Sequence, residues 1–222
     1  FIDVSTQSGI YTSAIGFGLG VSISDINGDG WDDMFVSNDF FERDYLYLNN
    51  QDGTFKEAIT ESMTELSLGS MGADIADLNN DARPEIFVTE MLPETMKRYK
   101  TKTAFESFDK SQLNASKGYH NQFGRNVLQY NVGNKNNIPQ FKELARYHNI
   151  EATDWSWGAL MADFDNNGYK DIFVANGIKK DLLDQDHVNF YTPQKLGNLI
   201  KGKEANIFKN MIESFPSYPI NN

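Results

Sequence analysis

Apolar and polar positions alternate in short runs over most of the chain. "GVSIS" (20–24) alternates with period two, and "DMFVSN" (33–38), "DYLYLNN" (44–50) and "GTFKEA" (53–58) are further short runs rich in aromatic and branched side chains. Asn, Asp and Gly separate them, so each run predicts a strand and each break a hairpin turn. Four such strands form one small antiparallel sheet, whose two apolar faces cannot be covered by the sheet alone.

The pattern recurs. "LGVSISDINGDGWDDMFV" (19–36) aligns without gaps with "MGADIADLNNDARPEIFV" (71–88) and "WGALMADFDNNGYKDIFV" (157–174). A second landmark lies upstream of each copy: "FIDVS" at 1, "FKEAI" at 55 and "FKELA" at 141. Self-similarity at this period signals a repeat architecture, and radial stacking of four-stranded sheets gives a β-propeller. The expected fold is all-β with helical insertions, forming part of a propeller of about two to three blades. The blades would fill 1–178, with repeats opening near 1, 55 and 141 and a helical insertion at about 91–125. Residues 179–222 predict a helical extension, with Phe208, Met211, Ile212 and Phe215 on one face. Gly20, Gly72 and Gly158, each opening a first strand, suit close backbone approach near a crowded axis. "TDWSWGALMAD" would place Trp155, Trp157, Ala159 and Met161 on one face, for packing between sheets or, alternatively, for stacking a sugar.

Each copy contains an acidic loop between its first two strands. Numbered from the first Asp, positions 1, 3, 5, 7 and 9 are Asp25, Asn27, Asp29, the Trp31 carbonyl and Asp33 in loop one. In loop two they are Asp77, Asn79, Asp81, the Arg83 carbonyl and Glu85; in loop three, Asp163, Asp165, Asn167, the Tyr169 carbonyl and Asp171. All are hard oxygen donors, the type Ca²⁺ prefers at coordination six to eight. An EF-hand is excluded, because it needs a Glu at position 12 and flanking helices, whereas Val36, Val88 and Val174 stand there in strand-like runs. Asp, Asn and Gly are also good hairpin residues, but three matched copies favour a cation. Loop two is the weakest copy, with Ala82 where Gly30 and Gly168 stand in the others, and Pro84 restricting Arg83.

The 222 residues are 40% hydrophobic and 23% charged, enough for a real core. The net charge of −11 argues against nucleic acid and anionic membrane as partners and suits a protein that holds divalent cations. Without cysteine there is no disulfide, thiol nucleophile or thiolate metal site. No apolar run approaches the ~18 residues of a membrane span. The chain opens at Phe1 and reads as an excised piece of a longer one. Residues 91–125 are locally basic, with seven Lys or Arg against three acids, and predict a solvated helical excursion or, alternatively, a segment docked on an acidic neighbour.

The loop motif between strands, the [MI]-F-V strand and the "YLYLNNQDGTF" close resemble FG-GAP repeats, also catalogued as VCBS repeats, which occur in integrin α-chain propellers. "SNDFFERDYLYLNN", "EMLPE" and "TDWSWGALMADFDNNG" are similar to a bacterial subgroup akin to ASPIC/UnbV-associated and cartilage acidic protein-like proteins, many of them secreted or on the cell surface. The resemblance covers roughly 1–178. It implies a seven-bladed propeller in the intact protein, an extracytoplasmic location and Ca²⁺ in the blade loops, with further blades supplied by the rest of the parent chain.

No catalytic constellation stands out. His120, His148 and His187 sit in separate segments, and "GFGLG" (16–20) leads into a strand where a dinucleotide fingerprint needs a helix. The expected function is a calcium-binding, non-enzymatic binding or adhesion module for a protein or glycan ligand. The alternatives are a structural spacer and part of a Ca²⁺-dependent polysaccharide-acting enzyme.

Overall fold

The computed structural model describes residues 2–178 apart from 12, 41 and 103–107. Beyond 178 it describes 180, 181, 184, 185, 188, 189, 212, 213, 215 and 217. In chain order the elements are β1 (Gly18–Ser24), β2 (Asp33–Asn38), β3 (Tyr45–Asn49), β4 (Phe55–Glu57), α1 (Ile59–Ser62), β5 (Leu66–Ser67), β6 (Gly72–Ala76) and β7 (Glu85–Thr89). They continue with α2 (Met96–Lys102), α3 (Phe108–Ser116), β8 (Gln122–Phe123), β9 (Val127–Lys135), β10 (Ile138–Glu143), α4 (Ala145–His148), β11 (Ser156–Ala162) and β12 (Asp171–Asn176).

The fold is mostly β, built from antiparallel sheets. β1 to β4 form one four-stranded meander and β6-β7-β9-β10 a second, while β11 and β12 form a two-stranded hairpin. The helical insertion enters the second sheet between its second and third strands, where the short β8 pairs in parallel with β5.

The sequence landmarks run out of phase with the sheets. "FKE" at 55 and 141 closes a sheet as its last strand, so neither position opens a sheet. The Glu then starts the one-turn helix that follows: Glu57 Oε1 accepts the Ile59 amide at 3.0 Å, and Glu143 Oε1 the Ala145 amide at 2.7 Å. Asp3 Oδ1 repeats this with the Ser5 amide at 2.9 Å, but residues 2–11 form no strand. They lie along the first sheet, where the Phe55 amide donates to the Ser8 carbonyl and Tyr11 meets Tyr45 edge-on at 5.7 Å.

The second sheet sits between two cores. Ile86 and Val88 face the first sheet, in a cluster with Phe35, Leu46, Leu48, Ile59 and Leu66. Phe87, between them, faces the opposite way and packs with Leu128 and Met161, against which Ala159, Ile172 and Val174 also lie. Period-two alternation in a strand covered on both faces requires this, and every residue of β7 is buried.

The first strands of the three units, β1, β6 and β11, lie side by side. Ser22 Oγ donates to the Ala73 carbonyl at 2.8 Å, and the Met161 amide to Asp74 Oδ2 at 2.6 Å. At Gly72 the packing excludes a side chain, since a Cβ there would lie 2.8 Å from the Trp157 carbonyl oxygen. Gly158 has no such constraint.

Two expectations are corrected by packing. A bulge between Ser156 and Gly158 breaks the alternation in β11. Ala159 and Met161 therefore pack on the second sheet, while Trp157 is half-exposed, its indole N–H donating to the Gly177 carbonyl at 2.8 Å. The basic insertion is not simply solvated. Arg98 makes a two-pronged pair with Asp154 (2.6 and 2.7 Å) and a third bond to Asp181 (2.7 Å). Lys102 joins Asp181 at 2.8 Å and Asp184 at 2.5 Å. Arg125 is buried between Glu65 and Glu143. Of the apolar stripe expected near the C-terminus, Phe208 and Met211 lie outside the described residues, Ile212 is exposed and Phe215 is buried.

Candidate metal centre

The three acidic loops wrap in the same way, each linking the first two strands of its sheet. In loop one, Asp25 accepts the Asp29 amide (3.0 Å) and the Gly30 amide (2.8 Å), Asn27 Oδ1 the Asp29 amide (3.0 Å), and Asp29 Oδ1 the Trp31 amide (3.0 Å). Loop two repeats this with Asp77, Asn79 and Asp81, and loop three with Asp163, Asp165 and Asn167, at 2.8–3.1 Å throughout. The side chains at positions 1, 3 and 5 thus fold over the loop's own amides. The turn requires a left-handed residue at position 6: Gly30 has φ 88°, Gly168 φ 92° and Ala82 φ 64°. Ala82 adopts the geometry of the glycines it replaces, at a cost of roughly 1 kcal/mol or more.

The acid at position 9 closes each loop. One of its oxygens always accepts the amide at position 2: Asp33 from Ile26 (3.0 Å), Glu85 from Leu78 (2.9 Å) and Asp171 from Phe164 (3.0 Å). The other oxygen distinguishes the loops. Asp33 Oδ1 accepts the Asn49 amide of β3 at 2.8 Å, so both of its oxygens are engaged by backbone. Glu85 Oε1 is buried and makes no well-formed hydrogen bond, although the Asn131 amide, the register equivalent of Asn49's, is close enough to lower its pKa somewhat. No third strand joins the β11–β12 hairpin among the described residues. There Asp163, Asp165 and Asp171 each bring a carboxylate oxygen within 4.8 Å of the others, the only trio so close among the described residues.

Electrostatics follow from this placement. Burial raises the Asp33 carboxyl above the usual carboxylate range, against hydrogen bonds from Asn49, Ile26 and Asn27. Glu85 is also raised, first by burial and then by the charges of Asp81 and Asp77. Asp29 is lowered: what burial it has works against this, but bonds from Asn27, the Trp31 amide, Gln51 and Asn137 prevail. Loop two also contains a counter-charge of its own, since Arg83 Nη2 contacts Asp81 Oδ2 at 2.5 Å.

The donor set fits calcium. Ligands at about 2.3–2.6 Å place opposite oxygens roughly 4.6–5.2 Å apart, and the loop-three trio falls within that spacing. In loop two the poorly satisfied Glu85 Oε1 feels the charges of Asp81 and Asp77, but its carboxylates do not gather as closely as the loop-three trio.

Residues outside the loop motif join the loops into one rim. Asn131 Nδ2 donates to the Ile26 and Pro84 carbonyls, both at 3.3 Å, and so ties loop one to loop two. Asn134 donates to the Asn27 carbonyl at 2.5 Å, and Tyr130 Oη accepts from Asn79 at 2.7 Å. Asn80 Nδ2 donates to the Gly168 carbonyl at 2.8 Å and ties loop two to loop three. Motif spacing alone does not reveal these braces. The available signal was the Asn-rich turn "NVGNKNN", which sits in the second sheet where "NNQDG" sits in the first.

The family model for the FG-GAP-like repeat matches residues 25–88. This chain carries an FG-GAP-like repeat. The matched window opens at Asp25, the first residue of loop one, and ends at Val88 in β7. The window contains loops one and two, the last three strands of the first sheet and the first two of the second. No curated protein matches the chain. The described histidines do not converge on the acidic loops: His120 Nε2 bonds the Met63 carbonyl at 2.9 Å, and His148 packs against Tyr147. His187 lies outside the described residues.

Proposed function

We propose that the chain is a section of a calcium-stabilised β-propeller in an extracytoplasmic protein, acting as a binding or adhesion module for a protein or glycan and not as an enzyme. The observation that carries this reading is the single rim of three oxygen-only loops, above first strands that lie side by side. Calcium there would neutralise carboxylates that otherwise repel one another. Asp163, Asp165, Asn167, Asp171 and the Tyr169 carbonyl would hold it in loop three, and the corresponding residues in loops one and two. The ion would supply a fixed charge that rigidifies the rim. Apolar faces at both ends of the stack support the propeller. Val21 and Ile23 of β1 are 60% and 62% exposed, and Leu160 and Phe173, opposite each other in the terminal hairpin, are 48% exposed. Further sheets of the parent chain would cover them. No helix of the described residues is long and apolar enough to cross a membrane.

Terbium luminescence sensitised through Trp31, which is half-exposed within loop one, tests the cation directly. Calcium should compete the signal away. A site held at 100 times its dissociation constant adds about 2.7 kcal/mol to stability, so chelator should lower the melting temperature by several degrees. Loss of neither luminescence nor stability would reduce the loops to well-formed hairpin turns. Glycan and protein array screens on the intact propeller would then identify the ligand class.

A further inference from the structure

We infer that Asn80 is a positioning residue that couples loop two to loop three, so that a cation in either loop tightens the other. This rests on reading the loops as cation sites. Asn80 stands at position 4 of loop two, between the candidate ligands Asn79 and Asp81, with its backbone left-handed at φ 61°. Its amide nitrogen donates at 2.8 Å to the Gly168 carbonyl. That carbonyl belongs to the Gly168–Tyr169 peptide, whose N–H donates at 2.8 Å to Asn167 Oδ1. The peptide plane is therefore held at both edges, by loop two on one side and by a loop-three ligand on the other. Two candidate ligands of loop three, the Asn167 side chain and the Tyr169 carbonyl, depend on its orientation.

A cation that draws Asn79 and Asp81 inward fixes the backbone between them, and with it Asn80. Fixing Asn80 orients the Gly168–Tyr169 peptide before loop three binds, which removes part of the ordering cost of the second event. Linkage makes the effect reciprocal. Loop one has Gly28 at position 4, with no side chain to make such a contact. Among the described residues it is tied to loop two indirectly, through β9 and its turn: Asn131 bonds the Ile26 and Pro84 carbonyls at 3.3 Å, Asn134 the Asn27 carbonyl, and Tyr130 accepts from Asn79. Asn80 bonds loop three directly, with no strand between, so the coupling is assigned to loops two and three.

The test is a calcium titration of the full chain by amide-resolved NMR, with the Gly168 amide reporting loop three and the Ala82 amide loop two. Asp77→Asn removes the charge that loop two needs and keeps one of the two oxygens that accept the Asp81 and Ala82 amides. It should weaken calcium binding at Gly168 by on the order of fivefold. In an Asn80→Ala background the same change should cost less than about twofold, since the double-mutant cycle isolates the coupling. Asp25→Asn in loop one should leave the Gly168 response unchanged. Equal weakening by Asp77→Asn with and without Asn80 would overturn the coupling while leaving the cation sites intact. Absence of any Gly168 response at millimolar calcium would overturn the cation reading and the coupling with it.

Discussion

Arg83→Gln should tighten calcium binding at loop two by about fivefold. Arg83 contributes its backbone carbonyl at position 7, which any residue supplies, and a guanidinium 2.5 Å from the Asp81 carboxylate at position 5. That contact must loosen for Asp81 to ligate, and the guanidinium also repels an arriving dication. The side chains of Arg83 and Asp81 are 46% and 26% exposed, so the attraction is largely screened by solvent. Opposite unit charges about 4 Å apart in water interact by about 1 kcal/mol, and exposed pairs measure roughly 0.2–1 kcal/mol. The upper end of that range corresponds to about fivefold in affinity. Gln keeps length and polarity while removing the charge, and leaves Pro84 and the loop backbone as they are. Calorimetric or Ala82-amide titrations at low and high salt give the readout, and the advantage of the variant should shrink as salt screens the pair. An unchanged or weaker site, or a gain that ignores salt, would refute the argument.

Because the folded loop already holds Ala82 at φ 64°, its strain belongs to folding. Relief of that strain is partly offset by the roughly 0.5–1 kcal/mol entropy cost of Gly, so Ala82→Gly should stabilise by at most about 1 kcal/mol and leave calcium affinity unchanged; a marked gain in affinity by calorimetry would contradict this. Arg98→Met should cost about 3–5 kcal/mol in urea denaturation, because it leaves Asp154 buried without its two-pronged partner; a loss below about 1 kcal/mol would show that the network contributes little. Asp44 is pushed up to about 7 by burial, against bonds from the Asn38 amide and Ser70. A raised carboxyl gives stability that is complete below its unfolded pKa, near 3.8, and is lost as pH rises through its folded one. Asp44→Asn should thus flatten the decline between about pH 4 and pH 7, which for one proton reaches about 1.4 kcal/mol per pH unit. Glu90, also raised to about 7 by burial, should leave a residual slope of the same sign; an unchanged slope in Asp44→Asn would exclude its role.

Strand order in the first sheet and the position and residue types of the loops were legible in the amino-acid sequence, because they depend on local rules. Period-two alternation made "DMFVSN" and "EIFV" strands, and an acid or amide at positions 1, 3, 5 and 9 recurred as a pattern in all three loops. The left-handed turn at position 6 was likewise local, and Ala82 obeys it despite its side chain. Contacts between segments distant in the chain were decided by tertiary structure. Nothing in "KRYKTK" distinguishes a solvated helix from one whose Arg98 and Lys102 are buried against Asp154 and Asp181, since the partners lie more than fifty residues away. The three loops have nearly the same motif, yet their closing acids differ. The Asn49 amide claims Asp33, Glu85 is left with a poorly satisfied oxygen, and Asp171 gathers with Asp163 and Asp165 in a hairpin that no third strand joins among the described residues. A motif specifies which donors a loop offers. How many of them the backbone already engages depends on the strand that packs beside the loop.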